Sequence, residues 1–244
     1  MKSRNEFLEK AAVDLLDIKS EDKVLEIGFG PGTGLLYAIE KIENGSGIII
    51  GVDYSPYIVK QAKKQLAMEI HDGHLDIHRA TVTHLPFPDR TFDRVFHCNC
   101  YYFWSKLPEA CQEMKRVMKY NSRMVTTLCL ERLKILQSRN ILSAVNVDPA
   151  RYMMALENAG FKDVHLEYYS QDKGQDYQAI FATKPDEEEE LAWTRANFRQ
   201  TAGRFKETVA EAVVRDFVTR QQRPLTQTEK NKGMAGRKAS DGKL

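Results

Sequence analysis

The chain predicts a doubly wound α/β fold: a mainly parallel sheet of seven strands with helices on both faces, a C-terminal antiparallel hairpin and an appended C-terminal helix. Three observations predict it. Apolar runs of strand length alternate with stretches of helical periodicity as far as Leu130, the order that builds parallel sheets. The run Val24-Leu25-Glu26-Ile27 passes into Gly28-Phe29-Gly30-Pro31-Gly32-Thr33-Gly34 and then Leu35-Leu36-Tyr37-Ala38-Ile39, which reads strand, tight loop, helix. Two later strands, joined across Gln171-Asp172-Lys173-Gly174, pair as a hairpin.

Taken in order, Arg4 to Asp17 has helical spacing at Phe7, Ala11, Leu15 and Leu16. The first strand, glycine loop and helix follow. Asn44-Gly45-Ser46-Gly47 is a turn, and Ile48 to Val52 is a buried-strand run ending at Asp53. Ser55-Pro56 opens a helix to about Ile70, with a capping hydroxyl before a proline at the first helical position. Leu75 to Ala80 and Phe92 to Cys98 read as strands, Leu107 to Met118 as a helix, and Met124 to Leu130 as the fifth strand. Beyond Leu130 the pattern weakens: Pro149 to Ala159 reads as a helix stopped at Gly160-Phe161, and Val164 to Tyr169 and Tyr177 to Thr183 as strands. Residues 1–184 form one domain. An acidic run, Asp186 to Glu190, opens a second unit over 185–221, where Leu191, Phe198, Phe205 and Ala212 recur every seven residues as an amphipathic stripe. That stripe packs on its own domain or pairs two copies, so the expected state is a monomer or a homodimer. Residues 222–244 are polar and glycine-containing and are expected to be a disordered tail.

Ligands of such sheets sit beyond the carboxyl ends of the strands, where Glu26, Asp53, Thr81 and the residues after Phe96 converge. The glycine loop lets backbone approach a bound molecule, and the helix behind it aims free N–H groups at the same place. Its spacing is not that of a dinucleotide site: counted from Gly28 the sixth position is Thr33, and from Gly30 it is Leu35. Glu26 would repel a pyrophosphate and attract an ammonium or sulfonium.

The pattern E-x-G-x-G-x-G after an apolar strand resembles the first motif of Rossmann-like (class I) S-adenosylmethionine-dependent methyltransferases of the small-molecule, type 11-like group. Ala80-Thr81-Val82-Thr83-His84-Leu85-Pro86-Phe87-Pro88-Asp89-Arg90-Thr91-Phe92-Asp93 is similar to that family's G-D-A-x-x-L-P-F-x-D-x-x-F-D, and Glu113-Met114-Lys115-Arg116-Val117-Met118-Lys119 to its E-x-x-R-V-L-K. The resemblance spans about Val24 to Lys184. It implies S-adenosylmethionine as cofactor and methyl transfer to a small-molecule acceptor by in-line displacement. The implied cofactor residues are Glu26, Gly28, Gly30 and Gly32 in the loop, Asp53 on the ribose hydroxyls, Tyr54, Thr81 and Val82 at the adenine, and His97. Thr81 stands where the family usually has an acid, a loss of about 1 kcal/mol, near fivefold in affinity. Tyr120-Asn121-Ser122 replaces the usual P-G-G turn.

Asn99, Tyr102, Phe103 and Trp104 border the acceptor in this reading, their aromatic faces holding a flat or cationic group. No catalytic base is assigned; His97 and Tyr102 are the candidates, needed only if the acceptor must lose a proton. No metal site is expected, because Cys98, Cys100, Cys111 and Cys129 lack paired spacing; Cys98 and Cys100 alternate along the predicted strand and face the same side as packing residues.

Composition limits the alternatives. The 244 residues are 42% hydrophobic and 29% charged, ordinary for a soluble globular protein, and the net charge of +2 offers no bulk attraction to nucleic acid. No run approaches the roughly 18 apolar residues of a membrane span, and Met1-Lys2-Ser3-Arg4-Asn5-Glu6 lacks the apolar core of a signal peptide, so the cytoplasm is the expected compartment. Gly242-Lys243-Leu244 approaches the S-K-L peroxisomal signal with glycine in place of serine. Two other readings stay open: a catalytically silent scaffold that uses the C-terminal helix, and a nicotinamide oxidoreductase that the glycine spacing disfavours.

Overall fold

A computed structural model describes residues 6–142, 147–171 and 175–197. The elements in chain order are α1 (Glu6–Leu15), β1 (Lys23–Ile27), α2 (Thr33–Ile42), β2 (Ile48–Asp53), α3 (Pro56–Gln65), α4 (Ala67–His71), β3 (Leu75–Arg79) and β4 (Phe92–Cys98). Then come a 3-10 turn (Tyr101–Phe103), α5 (Leu107–Val117), β5 (Met118–Leu128), α6 (Leu130–Ser138), α7 (Pro149–Ala159), β6 (Lys162–Gln171) and β7 (Gln175–Thr183). The seven strands form one sheet in the order β3-β2-β1-β4-β5-β7-β6. The first five are parallel, and β7 runs antiparallel to both β5 and β6.

Both faces of the sheet are covered because successive side chains of a strand point opposite ways. Val24 and Ile49 pack with Val13 of α1, Leu35 and Ala38 of α2 and Val59 of α3. Their neighbours Leu25 and Ile50 pack with Cys111 and Met114 of α5, Leu133 of α6 and Tyr152 and Leu156 of α7. Side-chain caps set two helix starts: Ile58 N–H donates to Ser55 Oγ ahead of α3, and Ala150 N–H to Asp148 Oδ1 ahead of α7. Gly160, at φ 90°, closes α7 in the left-handed conformation that glycine tolerates.

Three expectations are corrected, and one helix is added. The helix from Pro56 is two helices, broken at Leu66, whose side chain turns into the core at 5% exposure while its N–H still donates to Ala62 O. β5 begins at Met118, directly after α5; the turn expected at Tyr120-Asn121-Ser122 is a bulge within the strand, where pairing with β4 shifts between Phe92 and Arg94. Asn121 takes φ 57°, which asparagine accepts more readily than most residues, and its N–H donates to Lys184 O at 3.0 Å. α6 is the added helix, with a weak sequence signal because it fully buries only Leu133 and packs Leu130 partly against the same cluster. Cys100 leaves the strand line of Cys98, because Asn99 at φ 50° turns the chain at the end of β4.

The compact unit runs to Glu190, and Leu191 begins the second. The acidic run is tied to the first unit: Glu190 pairs with Lys115 at 2.9 Å, and Glu189 with Lys162. Residues 187–197 are helical; the remainder of the predicted stripe, the tail and the hairpin turn at 172–174 lie outside the described residues. Among the described residues no helix is long and apolar enough to cross a membrane.

Candidate functional site

The carboxyl ends of β1, β2, β3 and β4 open on one cavity of about 680 Å³, within the range of small-molecule sites. Its floor is the loop after β1. Gly28, Gly30 and Gly32 take φ of 71°, 51° and 87°, so the loop's path needs residues free to be left-handed. A side chain at Gly30 would project into open space, whereas one at Gly28 would press on Cys100. Gly28 and Gly30 line the cavity. Gly32 ends the loop as the cap of α2, outside that lining.

Asp53, at the end of β2, holds the loop in place. Gly30 N–H donates to its Oδ2 at 3.2 Å and Ser55 N–H to its Oδ1 at 2.8 Å, and the residue lines the cavity. Tyr54 lies beside it, 69% exposed. Across the cavity, Ala80, Thr81, Val82 and Thr83 form the wall after β3. That wall is clamped from α5: Glu113 Oε1 accepts from Leu85 N–H at 2.7 Å, while Arg116 donates to the carbonyls of Leu85 and Phe87 at 3.1 and 2.8 Å and to Asp89 Oδ1 at 2.7 Å. The Glu113-x-x-Arg116 segment therefore shapes the cavity without lining it.

The opposite wall follows β4. Asn99, Phe103 and Trp104 line it, together with Cys98, Cys100, Ser105 and Lys106. His97 and Tyr102 do not. His97 is fully buried: Nε2 lies 2.7 Å from Tyr152 Oη and 2.8 Å from Thr126 Oγ1, Nδ1 lies 3.3 Å from Cys100 Sγ, and the ring packs on Trp104. Burial lowers its pKa to about 3, so the ring is neutral. Tyr102 is buried beneath Phe103, with its hydroxyl held well above its ordinary range by burial. Neither side chain lines the cavity; His97 packs on Cys100 and Trp104 and Tyr102 on Phe103, which do.

Glu26 sits under the floor at 1% exposure, against the first turn of α2, and its Oε2 has no hydrogen-bond partner. Burial, followed by the nearby Glu9 and Asp53, holds its carboxyl well above the usual range. Glu9 of α1 is the site residue that sequence reasoning missed. It lines the cavity at 5% exposure, also with an unpartnered Oε2, and burial raises it to about 7, partly offset by a hydrogen bond from Thr33. The signal was present: Glu9 stands four residues before Val13 and seven before Leu16, on the buried stripe of α1. The Cys98 and Cys100 thiols are pushed up by burial and by Glu26, so neither is an activated nucleophile.

A glycine floor, a carboxylate at the end of β2 and two buried acids thus stand together at the carboxyl ends of the strands. Residues 25–126 match the family model described as a methyltransferase domain. YrhH of Bacillus subtilis is 27% identical over 121 residues, 50% of this chain and 65% of YrhH. Demethylmenaquinone methyltransferase of Lactiplantibacillus plantarum is 30% identical over 125 residues, half of each chain. A crystal structure of a SAM-dependent methyltransferase from Aquifex aeolicus superposes with a TM-score of 0.61 at 19% identity, covering 75% of this chain and 94% of that one. The chain thus spans half to two thirds of the length of these two relatives. It has the class I, Rossmann-like fold seen in S-adenosylmethionine-dependent methyltransferases.

The residues present fit S-adenosylmethionine on two observations of the site itself. The orphaned oxygens of Glu9 and Glu26 suit a cationic amino acid end, and the open side of Gly30 leaves room that any side chain there would fill.

Proposed function

We propose that this chain transfers a methyl group from S-adenosylmethionine to a small-molecule acceptor. The observation that carries the reading is the single cavity on which the glycine loop, Asp53, the Thr81-Val82 wall and the Phe103-Trp104 wall converge. Asp53 would accept from the ribose hydroxyls, the backbone at Val82 would meet the adenine, and Glu26 would attract the amino acid end. When bound, the cofactor supplies an electrophilic methyl group. The chain's own work is alignment and exclusion of water, and no covalent intermediate is needed.

Phe103, 68% exposed at the cavity wall, and Trp104 beside it favour an acceptor with a flat or apolar body, and Lys106 and Thr83 offer polar contacts at the same mouth. The relative from Lactiplantibacillus plantarum, by its name, methylates a demethylmenaquinone, which is consistent with such a body. His97 orders this wall through Cys100 and Trp104 and takes no proton.

Calorimetric titration with S-adenosylmethionine and S-adenosylhomocysteine, followed by a labelled-methyl screen of flat, apolar acceptors, tests the reading. Micromolar binding and transfer to one acceptor class are expected. No binding by the wild type would overturn it and favour the scaffold alternative. Sedimentation velocity separates a monomer from a homodimer paired through the 191–221 stripe.

A further inference from the structure

Glu9 and Glu26 come from different elements, α1 and β1, and each keeps an unpartnered, buried carboxylate oxygen: Glu9 lines the cavity beside Gly28 and Gly30, and Glu26 lies at the end of β1 directly before that loop, near enough for Glu9 to raise its carboxyl. The groups that face them do not neutralise them. Glu9 meets Glu6 on its own helix and the Thr33 side chain at the start of α2, and acts on Tyr37 of α2. Glu26 meets Glu9 and the Asp53 carboxylate of β2 and acts on the Cys98 and Cys100 thiols after β4. The groups that act most strongly on the two carboxyls are acids and the Thr33 hydroxyl; Lys10, next to Glu9 on α1, is bound to Asp14, and Lys106 lines the same cavity after β4. Two buried carboxylates in such surroundings ionise together only when a cation joins them.

We propose that Glu9 and Glu26 together form the seat for a primary ammonium group at the deep end of the cavity, with Glu9 as a second carboxylate supplied by the N-terminal helix. Without the cation the pair retains a proton; when the ammonium group arrives, that proton leaves to solvent and both carboxylates are ionised against it. The inference rests on the cavity being the S-adenosylmethionine site, whose amino acid end carries such a group. Because Glu9 lies on α1, the cation also ties that helix to the sheet.

The test uses the full chain and two neutral-sulfur ligands, S-adenosylhomocysteine and its analogue lacking the α-amino group, so that the ammonium is isolated from the sulfonium. Wild type is expected to prefer the amino ligand by roughly tenfold or more, the scale of a charge-assisted hydrogen bond. In Glu9→Gln that preference collapses while affinity for the deaminated analogue stays within about threefold. Calorimetry of the wild type in buffers of different ionisation enthalpy is expected to show proton release on binding S-adenosylhomocysteine near pH 6, which requires no variant. An unchanged preference in Glu9→Gln, an equal loss for both ligands, or the absence of proton release would each overturn the proposal while leaving the cofactor reading intact. Failure of both ligands to bind the wild type would overturn the two together.

Discussion

The carboxylate of Glu26 occupies the space that a side chain on Gly34 would need: a Cβ there would fall 2.4 Å from Oε1 and 2.8 Å from Cδ of Glu26. Gly34 lies in the first turn of α2, inside a regular helix, so its backbone angles do not call for glycine. The four alternating glycines therefore divide into two roles. Gly28, Gly30 and Gly32 supply left-handed backbone, and Gly34 leaves room for a buried acid, at a helix-propensity cost of about 1 kcal/mol.

Gly34→Ala should lower the melting temperature and weaken cofactor binding together, because Glu26 must move. Glu26→Ala in the same chain removes the clash, so the double variant should be more stable than the sum of the single changes by at least about 1 kcal/mol. Thermal melts across the four-variant cycle measure this coupling, and strict additivity would contradict it.

Asp53 has two tasks, accepting from the Gly30 and Ser55 amides and presenting charge to the cavity. Asp53→Asn keeps an amide oxygen for one of those donors but loses the charge, so cofactor affinity should fall roughly tenfold with a small change in stability. Asp53→Ala should lose both binding and several degrees of melting temperature. Titration calorimetry and melting on both variants separate the two tasks.

Stability should respond to pH in opposite senses at the two buried groups. Glu9 is raised to about 7, so its contribution is complete below the unfolded carboxylate pKa of 4.5 and is lost as pH rises through 7; Glu9→Gln should gain on wild type by a growing margin between pH 5 and 8. His97 is lowered to about 3, so stability falls as pH drops from 6.5 toward 3, where the unfolded chain takes up a proton that the folded one refuses. Melting curves at stepped pH follow the first effect. Ring NMR signals of His97 that stay constant from pH 5 to 8 would verify the second.

The clamp from α5 predicts a defect remote from the ligand. Arg116→Ala removes the donors to Leu85 O, Phe87 O and Asp89, leaving the Glu113 carboxylate without its guanidinium partner. Amide exchange over 81–89 should accelerate, stability should fall by about 1–3 kcal/mol, and cofactor affinity should drop although Arg116 lies off the cavity lining.

Much of this architecture is local. The turn from β1 into α2, the caps at Ser55 and Asp148 and the strand ends at Asp53 and Cys98 follow from neighbouring residues, because glycine conformation, capping and alternation act over a few positions. Placing Asp53, Thr81, Asn99 and Phe103 on one cavity needs only the rule that ligands sit at the carboxyl ends of parallel strands. Partners far along the chain decided the rest. His97 reads as a site residue until Thr126 and Tyr152, 29 and 55 positions away, enclose its ring. The spacing of Glu9 puts it on the buried stripe of α1, but that it lies beside Glu26 and lines the cavity is decided only where α1 meets the sheet. The sequence by itself determined the loop, the strand order of charge and glycine, and the class of ligand they suit. Tertiary structure alone decided which titratable groups are buried, since desolvation depends on what packs over a side chain and not on what stands beside it in the chain.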